Sequence, residues 1–524
     1  MVKPFITLDN VTVRLQDKLI LQNSFWQIDS DQHWAILGPN GSGKSTLVRA
    51  LWGGVPLRSG RILYAFGDSK KPVHLVPQRD RIGYVSFETH QRLMEYESMQ
   101  EELREYAGKT DEVTTAQEVI LSGISANREV TPDDRARLVG VADSLGIPYL
   151  LQRGITLLST GEMRKTLIAR ALMKSPRLLI LDEPFDGLDE ESRVSLGESI
   201  NHLMAGTMRV ILVTHRAEEI VPNTTHVLFI KNGRLFMQGP KEEMLTSEKV
   251  SKLFGCELRL EKDDGRYRVS YGLDKIHKVD GAFLGRNVFH DIPETLIEMK
   301  ETTVRYGEVL ALDRLTWSMK RGENWAILGP NGSGKSTILE LILGENLQGY
   351  SNQVFIFGKP KGSGQTLWDI KRRIGVVSSE LQIQYRKKMS AYDVIASGFY
   401  DSIGLYQYPT AEQKEIVDAW VDLLRIGEIA QESYHRLSYG QKRMVLLARA
   451  MVKPPVLLIL DEPCHGLDIL NRRRILNIVE MIGETETNLL YVTNHREEIL
   501  SSITHVLRLQ KGKEVSHGKK EEVL

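Results

Sequence analysis

The chain has 524 residues, which at about 150 residues per domain excludes a small peptide fold and leaves room for several compact units. Its 68 Lys plus Arg balance 68 Asp plus Glu, so no global positive field draws it to nucleic acid or anionic lipid. The hydrophobic share of 41% excludes disorder, the two cysteines (Cys256 and Cys464) exclude a disulfide framework, and no apolar run reaches the roughly 18 residues needed to cross a bilayer.

Along the chain, MVKPFITLDNVTVRLQ alternates apolar and polar residues at period two, which predicts a first strand and not a signal peptide. HWAIL then reads as a buried strand and TLVRALW as the start of a helix, with a glycine loop between them. That loop, Gly38, Pro39, Asn40, Gly41, Ser42, Gly43, Lys44, Ser45 and Thr46, has the P-loop pattern of a glycine, four residues, then Gly-Lys-Ser. Glycines let backbone amides face phosphate oxygens, the helix N-terminus adds positive potential, Lys44 neutralises phosphate charge and the Ser45 hydroxyl is placed for Mg²⁺. Further on, LLILDEP is a five-residue apolar strand ending in Asp182 and Glu183. An acid at a strand end beside a P-loop suits Mg²⁺, and the acid after it suits the attacking water.

The whole pattern then recurs. WAILGPNGSGKST returns 291 residues later, with Gly329, Pro330, Asn331, Gly332, Ser333, Gly334, Lys335, Ser336 and Thr337, and LLILDEP returns 279 residues later with Asp461 and Glu462. One unit has been duplicated and has diverged by 12 residues in its middle. The expected domains are residues 1–250, a connector over 251–295, and residues 296–524. Within the connector LRLEKDDGRYRV alternates on both sides of an Asp-Asp-Gly turn and predicts a hairpin, against the plainer reading of a tether.

Between the P-loop and the paired acids lie LSTGEMRKTLIARALM at Leu158 and LSYGQKRMVLLARAMV at Leu437. Here the sequence resembles the ATP-binding cassette (ABC) family, whose signature is LSGGQ followed by a helix. The resemblance covers both copies and leaves out the connector. It implies two α/β P-loop cassettes, each with an antiparallel β layer and a helical signature subdomain. It also implies ATP and Mg²⁺ as ligands and head-to-tail pairing of the cassettes within the chain. Ser438 and Gly440 would then close over the site of Lys44, Ser45, Asp182 and Glu183, and Ser159 and Gly161 over that of Lys335, Ser336, Asp461 and Glu462. The plainer reading of each signature serine is a helix N-cap.

Departures from the family pattern separate the two copies. The adenine-stacking aromatic of the family falls at Tyr306 in the second copy and at Leu15 in the first. The γ-phosphate histidine matches His215, whereas VTNHREE puts Asn494 at that place and His495 one residue late. Phe87 and Ser379 stand where the family has glutamine, followed by Glu88 and Glu380, for which a Mg²⁺ or water contact and a plain surface role are both open. Asp189 and Asp468 match the loop that crosses the cassette interface.

Glu183, Glu462 and His215 are thus the expected catalytic residues, and Ser45, Asp182, Ser336 and Asp461 the expected metal ligands. Among tandem cassettes without a membrane domain the chain is similar to the ModF-type molybdate-transport ATP-binding proteins. That implies an energising subunit, cytoplasmic or peripheral at the inner face of the cell membrane, docked on separate permease subunits. The alternatives are a non-transport factor resembling translation-associated cassette ATPases, or an ATP-sensing regulator. Zero net charge argues against a nucleic-acid or ribosome partner. An insertion of 13 residues after Phe87 enlarges the first copy. Its acidic segment, with Leu93, Met94, Tyr96, Met99, Leu103 and Tyr106 at mixed helical spacing, reads either as a helix packed on its own domain or as a partner contact.

Overall fold

The structure, a computed structural model, describes residues 4–15, 18–66, 79–106, 113–124, 129–263, 265–270, 272, 289, 291–307, 309–385 and 389–524, and the statements below concern these. The N-terminal alternation produces two long antiparallel strands, β1 (Pro4–Leu15) and β2 (Lys18–Asp29). Ile6 and Leu8 are buried, and after an irregularity at Asn10 (φ 54°) the buried set resumes at Val11 and Val13. The extra residue shifts the pleat by one, so both halves of the strand present apolar side chains to the same core.

Continuous apolar runs fold differently, because strands covered on both faces have no polar side to show. β3 (Trp34–Leu37) is buried throughout, and β4 (Leu57–Tyr64) completes an antiparallel layer in the order β2-β1-β4. β5 (Ile82–Ser86), β6 (Leu178–Asp182), β7 (Arg209–Thr214), β8 (His226–Lys231) and β9 (Arg234–Pro240) join β3 in a six-stranded sheet ordered β5-β6-β7-β3-β8-β9. Neighbours are parallel as far as β8, and only the edge strand β9 runs antiparallel. One core, with Trp26, Ile36, Leu47, Leu51 and Ile180, lies between this sheet, the P-loop helix Lys44–Trp52 and the antiparallel layer. A second core, with Val119, Leu138, Leu167 and Leu181, binds the helical insertion to the other face.

That insertion begins with the helix Phe87–Tyr106, where Leu93 and Met94 pack on the second core while Tyr96, Met99, Leu103 and Tyr106 are exposed. Its inner face is therefore spent on its own cassette. After β9, the helix Ser247–Phe254 leads into a hairpin of β10 (Arg259–Asp263) and β11 (Arg266–Ser270). Tyr267 is only 4% exposed and packs with Ala217, Val250, Phe254 and Leu258, so this stretch is folded onto the first cassette rather than strung out as a tether. Residues 273–288 of the expected connector lie outside the described residues.

The second unit repeats the plan. β12 (Thr295–Tyr306), β13 (Val309–Lys320), β15 (Gln353–Ile356) and β16 (Lys359–Pro360) form an antiparallel layer ordered β13-β12-β15-β16. β14 (Trp325–Leu328), β17 (Ile374–Val377), β18 (Leu457–Asp461), β19 (Asn488–Thr493), β20 (His505–Gln510) and β21 (Lys513–Lys519) form the core sheet, ordered β17-β18-β19-β14-β20-β21. The expected α/β core with an antiparallel layer and a helical insertion is present in both copies, as two compact units divided after residue 272.

The strand that launches each P-loop is pinned from the residue before it. Asn324 is 7% exposed; its Nδ2 donates to the carbonyls of Gly483 (2.9 Å) and Ser502 (3.0 Å), and its Oδ1 accepts from the Leu489 amide at 2.9 Å. Truncation leaves the buried Leu489 amide and two part-buried carbonyls without their partner. Asn324→Ala is therefore expected to destabilise the second cassette by about 2–4 kcal/mol, read as a lower urea midpoint. An unchanged midpoint would show that these bonds do not hold the strand.

Candidate nucleotide-binding sites

Both P-loops leave their strands where only glycine fits. A Cβ on Gly38 would lie 2.2 Å from the Ile230 carbonyl oxygen, and one on Gly329 2.5 Å from that of Leu509. Gly43 and Gly334, at φ 103° and 99°, cap the helices Lys44–Trp52 and Lys335–Leu343 from the left-handed region. The Lys44 ammonium folds back over its own loop and donates to the carbonyls of Gly38 (2.9 Å) and Pro39 (3.1 Å). Lys335 does the same with Gly329 (2.7 Å) and Pro330 (2.9 Å). Ser42 Oγ and Ser333 Oγ are buried with no hydrogen-bond partner among the described residues. A glycine cradle holding a lysine and an unsatisfied hydroxyl fits phosphate oxygens.

The acids arrive on the neighbouring strands. Ser45 Oγ donates to Asp182 Oδ1 at 3.1 Å, and the Tyr84 hydroxyl donates to Oδ2 at 2.9 Å. Burial, helped by the charge of Glu183, pushes the Asp182 carboxyl up to about 6 against the pull of Tyr84, Ser45 and Lys44. A serine hydroxyl bonded to a buried carboxylate is a hard-oxygen pair that fits Mg²⁺. Glu183 and Glu462 follow in left-handed backbone, φ 51° and 44°, their amides bonded to the carbonyls of Val213 (3.0 Å) and Val492 (2.9 Å). Such strain costs on the order of 1–3 kcal/mol and persists where the surroundings enforce it.

In the first cassette Glu183 Oε1 lies 3.5 Å from Lys44 Nζ and 3.6 Å from His215 Nδ1. Burial alone would raise this carboxyl, but His215 and Lys44 outweigh it and hold Glu183 at about 2, an ionised carboxylate. The second cassette lacks the histidine. His495 turns instead toward Glu497, with Nδ1 3.4 Å from Oε1, and burial raises the Glu462 carboxyl because the Lys335 ammonium does not cancel it. Burial raises Asp461 as well.

The segments after β5 and β17 also differ. Phe87 lies 5.0 Å beneath the buried Arg164 guanidinium, and exposed Glu88 is ion-paired with Arg49. Ser379 Oγ accepts from Arg443 at 2.5 Å, while Glu380 joins Ser336 and Asp461 around a cavity of about 260 Å³ walled by Leu339, Leu343, Val376 and Leu381. At the positions matching Leu343 and Val376, the first cassette has Trp52 and Tyr84, stacked 5.2 Å apart.

Ser159 and Ser438 each cap their own helix, accepting from the amides of Glu162 and Gln441 at 3.3 Å. A Cβ on Gly161 or Gly440 would meet Ser192 or Asn471 at 2.9 Å, so both glycines are also required by packing within their own cassette. The half-exposed Tyr306 donates its hydroxyl to Glu340 Oε2 (2.8 Å) and accepts from Asn346 (2.7 Å), which fixes the ring, and Leu15 at the matching place is exposed. Asp189 accepts from the Ser192 amide at 2.8 Å as an N-cap. Two neighbours are silent in the motifs: Tyr84, which bonds Asp182, and Asp186, whose Oδ1 lies 4.0 Å from His215 Nε2. Setting FDGLD against CHGLD is the one sequence signal for Asp186.

The chain is similar to known proteins over both cassettes. The family described as ABC transporter matches residues 21–186 and 312–465. The ABC transporter ATP-binding protein ModF of Escherichia coli is 38% identical over 505 residues, 95% of each chain. An uncharacterized ABC transporter ATP-binding protein of Schizosaccharomyces pombe is 24% identical over 505 residues, covering 95% of this chain and 96% of its own. The solved complex of archaeal ribosomal stalk protein aP1 with the ribosome recycling factor aABCE1 contains a chain with a TM-score of 0.55 at 18% identity, covering 98% of this chain and 90% of that one, a likeness of fold alone. No helix among the described residues is long and apolar enough to cross a membrane. With its two matched cassettes and its full-length likeness to ModF, the chain belongs to the ABC transporter ATP-binding family, as a tandem-cassette member.

Proposed function

We propose that the chain binds ATP with Mg²⁺ at both P-loops and hydrolyses it chiefly at the first. The observation that supports this is the ionised Glu183 between Lys44 and His215, beside the Ser45–Asp182 pair. Lys44 and the loop amides bind and orient the phosphates, and Ser45 and Asp182 hold the metal, which when bound withdraws charge from the phosphate oxygens. Glu183 accepts the proton of the attacking water, and His215 contacts the γ-phosphate. In the second site Ser336, Asp461 and Glu462 take the corresponding places without a histidine, so that site retains nucleotide, its adenine on Tyr306. Ser438 and Gly440 complete the first site and Ser159 and Gly161 the second when the cassettes pair head to tail.

The physiological reading is an energising subunit of a membrane transporter, peripheral at the inner face of the membrane and docked on separate permease subunits. The likeness to ModF supports it and points to the molybdate type. Purification of the ATP-trapped Glu183→Gln protein is expected to bring membrane subunits with it; ribosomes in their place would overturn the transport reading.

Glu183→Gln is expected to lower turnover at least about a hundredfold while leaving ATP bound, because an amide keeps the shape but accepts no proton. A wild-type rate would remove Glu183 from this role. The residual activities should also differ in pH dependence. Turnover left in Glu462→Gln depends on the low-lying Glu183 and persists on acidification. That left in Glu183→Gln depends on Glu462, whose carboxyl is raised, so it protonates first and its acid limb lies at higher pH. Superimposable acid limbs in the two pH–rate profiles would refute the asymmetry.

A further inference from the structure

His215 stands at the end of β7 in a turn fixed by Thr214, whose hydroxyl donates to Glu219 and accepts from the Arg216 amide at 3.0 Å. The imidazole is 1% exposed and lies between two acids, Glu183 toward Nδ1 and Asp186 toward Nε2, with one ligand atom of each of the three within 4.8 Å of the others. The first site's chemistry accounts for Glu183. It leaves Asp186 without a task, although a half-buried acid on a sheet's functional edge is costly unless something answers it.

The second cassette shows what answers it. At the matching positions His465 replaces Asp186 and Asn494 replaces His215, whereas Glu183 and Asp189 keep their counterparts in Glu462 and Asp468. The acid and the histidine have changed together inside one chain, as partners in an ion pair would. We propose that Asp186 is a positioning residue of the first site, the counter-ion that keeps His215 a cationic imidazolium turned toward bound nucleotide. This rests on the reading of the first P-loop as the hydrolysing site.

The charges around the ring are consistent with it. Glu183 and Asp186 face it from the segment after β6, and Glu219 and Arg216 from its own turn; Lys44 lies beyond Glu183, and Arg164 of the signature helix donates to the Asp186 carbonyl at 3.5 Å. Burial alone would keep the imidazole neutral, but Asp186 and Glu183 outweigh it and raise its proton affinity. Burial pushes the Asp186 carboxyl up to about 7 and the imidazolium pulls against it, so the two groups titrate as a coupled pair.

The test is an NMR titration of the full chain, nucleotide-free and ¹³C-labelled at histidine, with the His215 signal assigned by its loss in His215→Gln. His215 is expected to titrate above about 6.5, the ordinary imidazole value. Asp186→Asn should lower it by on the order of one pH unit, and Asp186→Glu should restore it. An identical titration in wild type and Asp186→Asn overturns the proposal. In the Glu462→Gln background, Asp186→Asn should move the alkaline limb of the pH–rate profile toward acid, whereas a uniform loss with an unmoved limb would make Asp186 merely structural. Should Asp186→Asn fail to fold, the second cassette serves: the imidazole introduced by Asn494→His should titrate higher with His465→Asp than without it, and equal titration refutes the pairing. A wild-type chain that turns over no ATP would overturn the hydrolysis reading and leave the NMR outcome standing, so the two failures are distinguishable.

Discussion

The site chemistry depends on one short link, the 3.1 Å hydrogen bond between Ser45 and Asp182, because it joins the start of the P-loop helix to the end of β6, two residues that the chain separates by 137 positions. β3 and β6 are not neighbours; β7 lies between them, and both are buried along their length. Parallel strands covered on both faces can place polar groups only at their ends, and here the ends that meet are a glycine loop and a pair of acids. The left-handed backbone at Glu183 follows from the same constraint. Its amide continues the bonding to β7 through Val213 while the chain leaves the sheet.

The two cassettes share this backbone frame and differ in the charges set into it. The P-loop lysines make the same two carbonyl bonds, and both glutamates take the same left-handed turn. Glu183 is nevertheless held well below its ordinary value, whereas Glu462 is raised from it. Burial acts on both, but His215 and Lys44 outweigh it at Glu183, whereas at Glu462 the Lys335 ammonium does not cancel it and His495 is drawn off to Glu497. Electrostatics can thus diverge between duplicated sites at no cost to the fold, because the frame rests on apolar burial and backbone pairing.

Packing next to the sites diverges as well. In the first cassette Trp52 and Tyr84 stack where the second has Leu343 and Val376, which wall the cavity beside Ser336 and Asp461. The helix after Phe87 and the hairpin after β9 are additions to the first copy that use the same means: Leu93 and Met94 in one and Tyr267 in the other enter existing apolar cores.

From the sequence by itself came the duplication, the strand–glycine loop–helix order, the paired acids at a strand end and the helical insertion. Period-two alternation, continuous apolar runs and glycine spacing are local consequences of backbone geometry, and so they can be read locally. The loss of the histidine at Asn494 was equally legible, since it is a change of residue type within a repeated motif. Tyr84 was not, because nothing in IGYVS says what it touches, and for Asp186 the contrast of FDGLD with CHGLD marks a change without saying what the side chain meets. Tyr84 meets Asp182 across 98 residues, and Asp186 meets a histidine carried on another strand. Glu88 likewise meets a neighbour distant in the chain, Arg49. The tertiary structure alone decided the proton affinities, because they depend on burial and on charges brought within a few ångströms by strand order, which no local pattern encodes.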